Sequence, residues 1–575
     1  MIQHQEYIKP AGLVFFFTFA ALVMTATPLL GPFIFSDEGT YSLTIQEGWN
    51  LPIRFSNATI PNYLFYAIYH VAFLKAQSQS LIIARILNAL FLSATAVIFF
   101  VMLRNYLRTG EASVVAIALA LSYFGIFSIL FMPESLFFFL FWLAVYFYVF
   151  VDSFPVLVKA AGLGALTALL ALTKPHGLAV AAGWTAIPFL APGASGPSSF
   201  RNRLASVLVF GLALAFSWVV VSYAITGAIQ TDPVGGFYSG CIKLRIDADS
   251  IVSTGKVAFR HIAYLAFFSA FPLLAVAVVY KSLRPEVAAS VARLLLAGAV
   301  FSAILIAMCA KFTVDVAGAG PYESLSRIHM RYYLVSMPLF AIPFFICART
   351  YVDGAKLERR LFWAGFPAYV LGVLTILATR ENISHIDSPL LVFALNGAAL
   401  YVSIAIGALA FGLAALGRKR YAVAVWLIFF FSTWLSSYFL GLNHWWTLDM
   451  GRLPRVAGII KECLPGQTVA KDVVFISEVP DVRPFILQYH LGATVKWYHL
   501  RRSGEVDCNL VATHKVVVTF GNLNVGCGFD VLLTEGDTTV LRSRNGSGVS
   551  NLPAGSPASG LLWTADCFPK GLRDR

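Results

Sequence analysis

The chain has 575 residues, of which 58% are hydrophobic and only 12% charged, and its mean hydropathy is +0.75. Ordinary globular chains carry about 25% charge, so disorder, collagen, coiled coil and small disulfide scaffolds are excluded, and a water-soluble fold could not hide this much apolar surface. A formal charge of +13 would suit a nucleic-acid binder, but most Lys and Arg sit in short clusters between apolar runs, where they fix membrane orientation instead.

A bilayer-crossing helix needs roughly 17–25 mostly apolar residues. The first such run covers residues 11–35. It is too long for a cleaved signal peptide and lacks a small-residue cleavage site before Ser36. Further runs centre near Phe91, Leu119, Phe141, Leu166, Trp184, Leu212, Phe271, Val300, Leu339, Val373, Ala405 and Phe430. Together they predict a multi-pass α-helical membrane protein with about thirteen transmembrane helices.

Every second loop is basic: Arg104 and Arg108, Lys159, Arg201 and Arg203, Lys281, Arg284 and Arg293, Arg349 to Arg360, and Arg418 to Arg420. The positive-inside rule makes these loops cytoplasmic, with a cytoplasmic N-terminus and an exported C-terminus. The expected location is the plasma membrane, the inner membrane of a bacterium.

The alternate, exported loops hold the chemistry. Asp37 and Glu38 follow the first run, in FSDEGTY, where a partly desolvated carboxylate can act as general base or hold a divalent cation. An acidic pair that only flanks a helix is the plainer reading. Residues 62–75 carry aromatic and aliphatic groups at helical spacing and predict a helix lying on the membrane surface. Glu134 lies in the short turn MPES between two apolar helices, a costly place for a carboxylate, which indicates a role. Lys174 and His176 stand in LTKPHG, and Arg327, His329 and Arg331, followed by Tyr332, in SRIHMRYY, with Arg260 and His261 earlier. Topology does not explain cations on this face; phosphate binding does, because an Arg fork matches phosphate oxygens and Lys supplies a point charge. Snorkelling towards the headgroups is the alternative. Asp247 and Asp249 have metal-like spacing, but two carboxylates alone are weak. No Walker loop, GxSxG elbow or HExxH occurs.

The composition changes at about residue 443. Residues 1–442 read as the transmembrane domain and 443–575 as a small soluble α/β domain on the exported side. A helix is expected over 454–463 and strands within TVAKDVVFIS, ATVKWYH, KVVVTF and DVLLT. Cys463, Cys508, Cys527 and Cys567 lie in this tail, an even number in an oxidising compartment, so two disulfides are expected. Cys309 and Cys347, in apolar runs, should stay reduced.

In order and sidedness, these motifs resemble the membrane glycosyltransferases of the GT-C fold, which use polyprenyl-phosphate-linked sugars. The resembling residues are Ser36–Asp37–Glu38–Gly39, Pro133–Glu134, Leu172–Thr173–Lys174–Pro175 and His329–Met330–Arg331–Tyr332. The tail segment VRPFILQYHL, residues 482–491, is similar to the exported domain of the lipid A aminoarabinose transferase branch, and the layout also resembles protein O-mannosyltransferases. The resemblance implies a single inverting displacement. Asp37 would deprotonate the acceptor hydroxyl, which attacks the anomeric carbon; Lys174 and Arg331, with His176, Arg327, His329 and Tyr332, would hold the departing polyprenyl phosphate. Glu38 and Glu134 would orient the acceptor, a glycan or lipid, or bind a cation. A lone glutamate stands where some relatives carry an acidic pair, which leaves Mg or Mn dependence open. A polysaccharide polymerase or ligase, and a lipid or sugar transporter, are the competing readings. No nucleic-acid partner is expected.

Overall fold

The computed structural model describes, with short gaps, residues 2–26, 38–190, 199–232, 247–317, 324–353, 359–464 and 469–544. Among them are α1 (Ile2–Ala26), α2 (Glu38–Gly48), α3 (Tyr63–Tyr69), α4 (Gln77–Leu103), α5 (Thr109–Phe124), α6 (Glu134–Phe150), α7 (Val156–Thr173) and α8 (Gly177–Leu190). Then come α9 (Phe200–Thr226), α10 (Ala248–Val279), α11 (Pro285–Val316), α12 (Pro338–Asp353), α13 (Arg359–Thr379), α14 (Gly397–Ala415) and α15 (Lys419–Asp449). Every expected centre falls inside a helix. Among the described residues, eight helices are long and apolar enough to cross a membrane, and Ile8–Met24, Tyr63–Leu74, Glu134–Phe150, Gly177–Leu190 and Leu334–Ala348 are apolar but shorter. The chain is a multi-pass membrane protein.

Two registers differ from the hydropathy reading. The first helix begins at Ile2, not near residue 11, because a polar N-terminus can continue a helix beyond the apolar part. The apolar run around Leu339 opens with 3-10 turns at Met330–Tyr332 and Leu334–Ser336 before α12 starts. These turns hold Arg331 and Tyr332 near the end of the bundle rather than inside a regular helix. Residues 62–75, read as a surface helix, form α3 and a following 3-10 turn at His70–Leu74. They bury Tyr63, Phe65, Tyr66 and Tyr69 and expose Val71 and Leu74.

Two glycines set close approaches that matter for the site. A side chain on Gly164 of α7 would come 2.4 Å from the Phe210 carbonyl of α9, so those helices touch backbone to backbone. A side chain on Gly177 would come 2.3 Å from the Ala171 nitrogen. Only glycine lets α8 start directly against the end of α7, which keeps the Lys174–His176 turn tight.

The tail begins with α16 (Arg452–Cys463), followed by β1 (Val473–Ser477), α17 (Arg483–Leu491), β2 (Lys496–His499), β3 (Val516–Phe520), β4 (Phe529–Glu535) and β5 (Thr538–Ser543). The five strands form one sheet in the order β2-β1-β3-β5-β4. β1 runs parallel to β2 and β3, while β3 and β4 run antiparallel to β5. Val473–Ser477 and Val516–Phe520 are buried throughout, as expected for central strands covered on both faces. The hairpin partner β5 was not foreseen, because TTVLRS is too polar to stand out. The expectation of two disulfides does not hold. Cys463 is a free thiol, whereas Cys508 is disulfide-bonded. Cys309 and Cys347 are free and buried.

Candidate active site

Three turns at one end of the bundle carry the site, and each is fixed by its own local bonds. In the first, α6 starts at Glu134, straight after a backbone stretch held by buried side chains. Arg85 Nε donates to the Ile129 carbonyl at 2.9 Å, Asn88 Nδ2 to the Leu130 carbonyl at 2.5 Å, and the Phe131 N–H donates to Glu38. Arg85 Nη2 lies 4.0 Å from Glu38 Oε2, and both side chains are buried. Glu38 is thus a clamp on the chain leading to Glu134. Asp37, the expected base, lies outside the described residues.

The second turn follows α7. Lys174 is extended (φ −159°, ψ 133°), its N–H closing on the Leu170 carbonyl, and Pro175 and Gly177 turn the chain into α8. Lys174 Nζ then donates to Glu134 Oε1 at 2.6 Å, with both side chains almost wholly buried. Glu134 Oε2 is buried too and has no hydrogen-bond partner among the described residues. Removing either member of such a buried pair costs about 3–5 kcal/mol.

The third turn carries Arg327, His329, Arg331 and Tyr332, and it is strapped to residues 384–388. Arg331 N–H donates to the Asp387 carbonyl at 2.7 Å, and Ser388 Oγ donates to the Ile328 carbonyl at 2.7 Å. The Asp387 side chain, fully buried, gathers the cations. Arg327 Nη2 is 2.6 Å from Oδ2, Arg331 Nε is 3.1 Å from Oδ1, and His329 Nδ1 is 3.5 Å from Oδ1. Ser384 Oγ donates to Oδ2 at 3.0 Å. Burial alone would raise the Asp387 carboxyl, but Arg327, Arg331 and His329 hold it well below the usual carboxylate range.

The turns meet at Tyr332. Its ring stacks on His176 at 4.3 Å and on His329 at 5.5 Å between centroids. Lys174 Nζ lies 4.8 Å and the Arg331 guanidinium 5.1 Å from the same ring centre, within cation–π range. Arg331 Nη2 donates to the Tyr332 hydroxyl at 3.3 Å, and Arg331 Nη1 reaches Met132 Sδ at 3.7 Å, joining the third turn to the first. Burial, then the charges of Lys174, Arg331 and His329, push the His176 imidazole well below the ordinary histidine range. It is neutral at pH 7. His176 Nδ1 and both ring nitrogens of His329 are buried without hydrogen-bond partners among the described residues.

Eight of the nine residues singled out in the sequence can therefore be placed. Glu134, Lys174, His176, Arg327, His329, Arg331 and Tyr332 come together, while Glu38 sits behind them with Arg85. Sequence reasoning missed Asp387. Its one signal was a carboxylate in the mostly polar segment SHIDSP, just before an apolar stretch. Arg260 stands apart, donating to the Leu325 carbonyl at 3.2 Å. Asp247 caps α10, accepting from the Ser250 N–H at 2.7 Å, so its spacing to Asp249 reflects helix capping. Among the described residues, no three His, Cys, Asp or Glu side chains gather as a metal-ligand set.

No protein-family model matches the sequence, and neither does any curated protein. Among solved structures, the chain is similar to ArnT from Cupriavidus metallidurans bound to undecaprenyl phosphate: 13% identity, TM-score 0.47, with 94% of this chain and 97% of that one covered. It is also similar to the apo state of the same protein, at 12% identity and TM-score 0.45, with the same shares of both chains covered.

Proposed function

We propose that the chain is a glycosyltransferase of the GT-C type that moves a sugar from a polyprenyl-phosphate carrier to an acceptor hydroxyl at the exported face of a bacterial inner membrane. The acceptor is a glycan or a lipid. The observation that carries this reading is that Lys174 and Arg331, from distant parts of the chain, flank one buried Tyr332 ring, each braced by a buried carboxylate. An ammonium and a guanidinium fixed in this way suit a phosphate that must depart with its charge. The alternating basic loops support a cytoplasmic N-terminus and an exported unit over residues 443–575.

The displacement is concerted. The acceptor oxygen bonds to the anomeric carbon as the bond from that carbon to the phosphate oxygen breaks. The acceptor proton passes to Asp37, and the bonding pair leaves on the phosphate, held by Lys174 and Arg331. Phosphate is already a good leaving group, so positioning and charge stabilisation suffice and no covalent nucleophile is needed. Glu134 Oε2, buried and without a partner among the described residues, is available to orient the acceptor hydroxyl. Among the described residues no three His, Cys, Asp or Glu side chains gather as a metal-ligand set, and Glu134 already faces the Lys174 ammonium, so no step is routed through a Mg or Mn ion.

Polyprenyl phosphate without its sugar is the test ligand, because it leaves the identity of the sugar aside. Its binding to the full chain should weaken at least tenfold in Lys174→Ala and in Arg331→Ala. Unchanged binding in both would remove the basis for a phosphate-linked donor.

A further inference from the structure

The turn that carries His329 and Arg331 is strapped to residues 384–388, but α10 and α11 hold it as well. Arg260 on α10 donates to the Leu325 carbonyl, just ahead of the turn. His261, the next residue, is wholly buried. Its Nδ1 lies 3.2 Å from the Tyr333 hydroxyl, and its Nε2 lies 3.7 Å from Cys309 Sγ on α11. Cys309 Sγ in turn lies 3.5 Å from the His329 carbonyl. Cys309 and Tyr333 are buried as completely as His261. A single chain of hydrogen bonds thus runs from the Tyr333 hydroxyl to the backbone of His329.

Its direction follows from the one hydrogen that has no choice. A buried tyrosine hydroxyl needs an acceptor, and among the described residues the Tyr333 hydroxyl bonds only with His261 Nδ1. Nδ1 must then offer its lone pair, which places the imidazole proton on Nε2. The Nε2–H points at Cys309 Sγ, a weak acceptor, and the thiol hydrogen goes to the His329 carbonyl. The opposite polarity would strand the Tyr333 hydrogen and turn the thiol hydrogen away from His329.

The His329 carbonyl also accepts from the Tyr332 N–H at 3.4 Å, while the Arg331 N–H goes to the Asp387 carbonyl at 2.7 Å. The peptide groups on either side of Met330 are therefore pinned by different elements, and together they set the direction in which the Arg331 side chain leaves the backbone. We propose that His261, as its Nε2–H tautomer, is a positioning residue for donor binding: it orients Cys309 so that the thiol fixes the His329 carbonyl and, through it, the aim of Arg331. This rests on the reading of the cradle as a polyprenyl-phosphate site. His261 acts through the turn and not on the phosphate.

Two measurements on the full chain in detergent test this. The first is the infrared S–H stretch of Cys309, isolated by subtracting the spectrum of Cys309→Ala. In wild type the band should lie at the low frequency of a hydrogen-bonded thiol, strengthened as a donor because its sulfur also accepts. It should move towards the free-thiol position in His261→Ala and in His261→Asn, whose amide reaches the Nδ1 place alone. It should stay near wild type in His261→Gln, whose amide nitrogen takes the Nε2 place.

The second is binding of polyprenyl phosphate. His261→Ala, His261→Asn and Cys309→Ala should each weaken it about fivefold, the equivalent of one hydrogen bond, and His261→Gln should recover most of the loss. Combining His261→Ala with Cys309→Ala should weaken binding no further than either alone, because both break one chain. A free-thiol band in wild type, unchanged binding in all variants, recovery by Asn and not by Gln, or additive losses would each overturn the proposal. Should His261→Ala fail to fold, Cys309→Ala and the contrast between Gln and Asn decide in the same way. A wild type with the bonded band that binds no polyprenyl phosphate would overturn the donor reading, and with it the role in binding, while the chain from Tyr333 to His329 would stand.

Discussion

Arg331 meets Asp387 twice, donating its backbone N–H to the aspartate carbonyl at 2.7 Å and placing its side-chain Nε 3.1 Å from the carboxylate. One contact fixes where the arginine sits, and the other fixes where its charge points. The guanidinium can then face Tyr332 and whatever binds beside it.

Asp387→Asn keeps the shape of that contact and removes its charge. It should lower stability by about 3–5 kcal/mol, as expected when a buried ionic group loses its partner, and should weaken polyprenyl-phosphate binding. The sign with pH follows from the depressed carboxyl. Its stabilisation is complete above the ordinary aspartate value of about 3.9 and is lost as pH falls through the lower folded value. The difference in melting temperature between wild type and Asp387→Asn should therefore be flat from pH 5 upward and shrink only below about pH 4. A difference that grows towards acid pH would contradict an ionised Asp387.

Asp37→Asn should stop transfer while leaving the lipid bound. General-base catalysis is worth about 10²–10⁴-fold, with orientation losses added. A turnover assay beside a binding assay separates the two effects. Turnover near wild type would move the base to Glu134, since Glu38 is engaged with the Phe131 N–H and Arg85.

Glu134→Gln should hurt more than its neighbours' conservative changes. It leaves the Lys174 ammonium buried without its 2.6 Å carboxylate, so both stability and transfer should fall. Arg331→Lys should recover only part of the binding lost in Arg331→Ala, because one ammonium cannot reach Asp387, Tyr332 and a phosphate as a forked guanidinium does. Full recovery would show that charge alone matters there.

Alkylation of the denatured chain without reductant should modify Cys309, Cys347 and Cys463, all free thiols. Cys508 should react only after reduction. A Cys463 that resists alkylation would restore the pairing expected from the even count of tail cysteines.

Much of this site was legible in the sequence because each part is local. Glu134 in a four-residue turn, Lys174 at a helix end and Arg331 before a span are all charges where hydropathy forbids idle ones. Their partners were not legible. Asp387 stands sixty residues from Arg327 in a loop that looks ordinary, and nothing in either segment marks the other. Arg85 could be seen only as a charge near a helix end, whereas the fold buries it against Glu38. The tail shows the same limit. Apolar β1 and β3 were plain, while β5 is recognisable only beside β4. Counting cysteines said nothing about which of them come together.

The strap between the two segments also has a consequence for biosynthesis. Arg327 is made sixty residues before Asp387, a delay of about 3–12 s at ordinary translation rates of roughly 5–20 residues per second. During that interval α12 and α13 are threaded while the arginine turn still lacks its anchor. A chain halted before residue 387 would hold the Lys174–Glu134 pair complete and the arginine turn unset. Ribosome-stalled intermediates on either side of that residue should therefore differ sharply in their grip on polyprenyl phosphate.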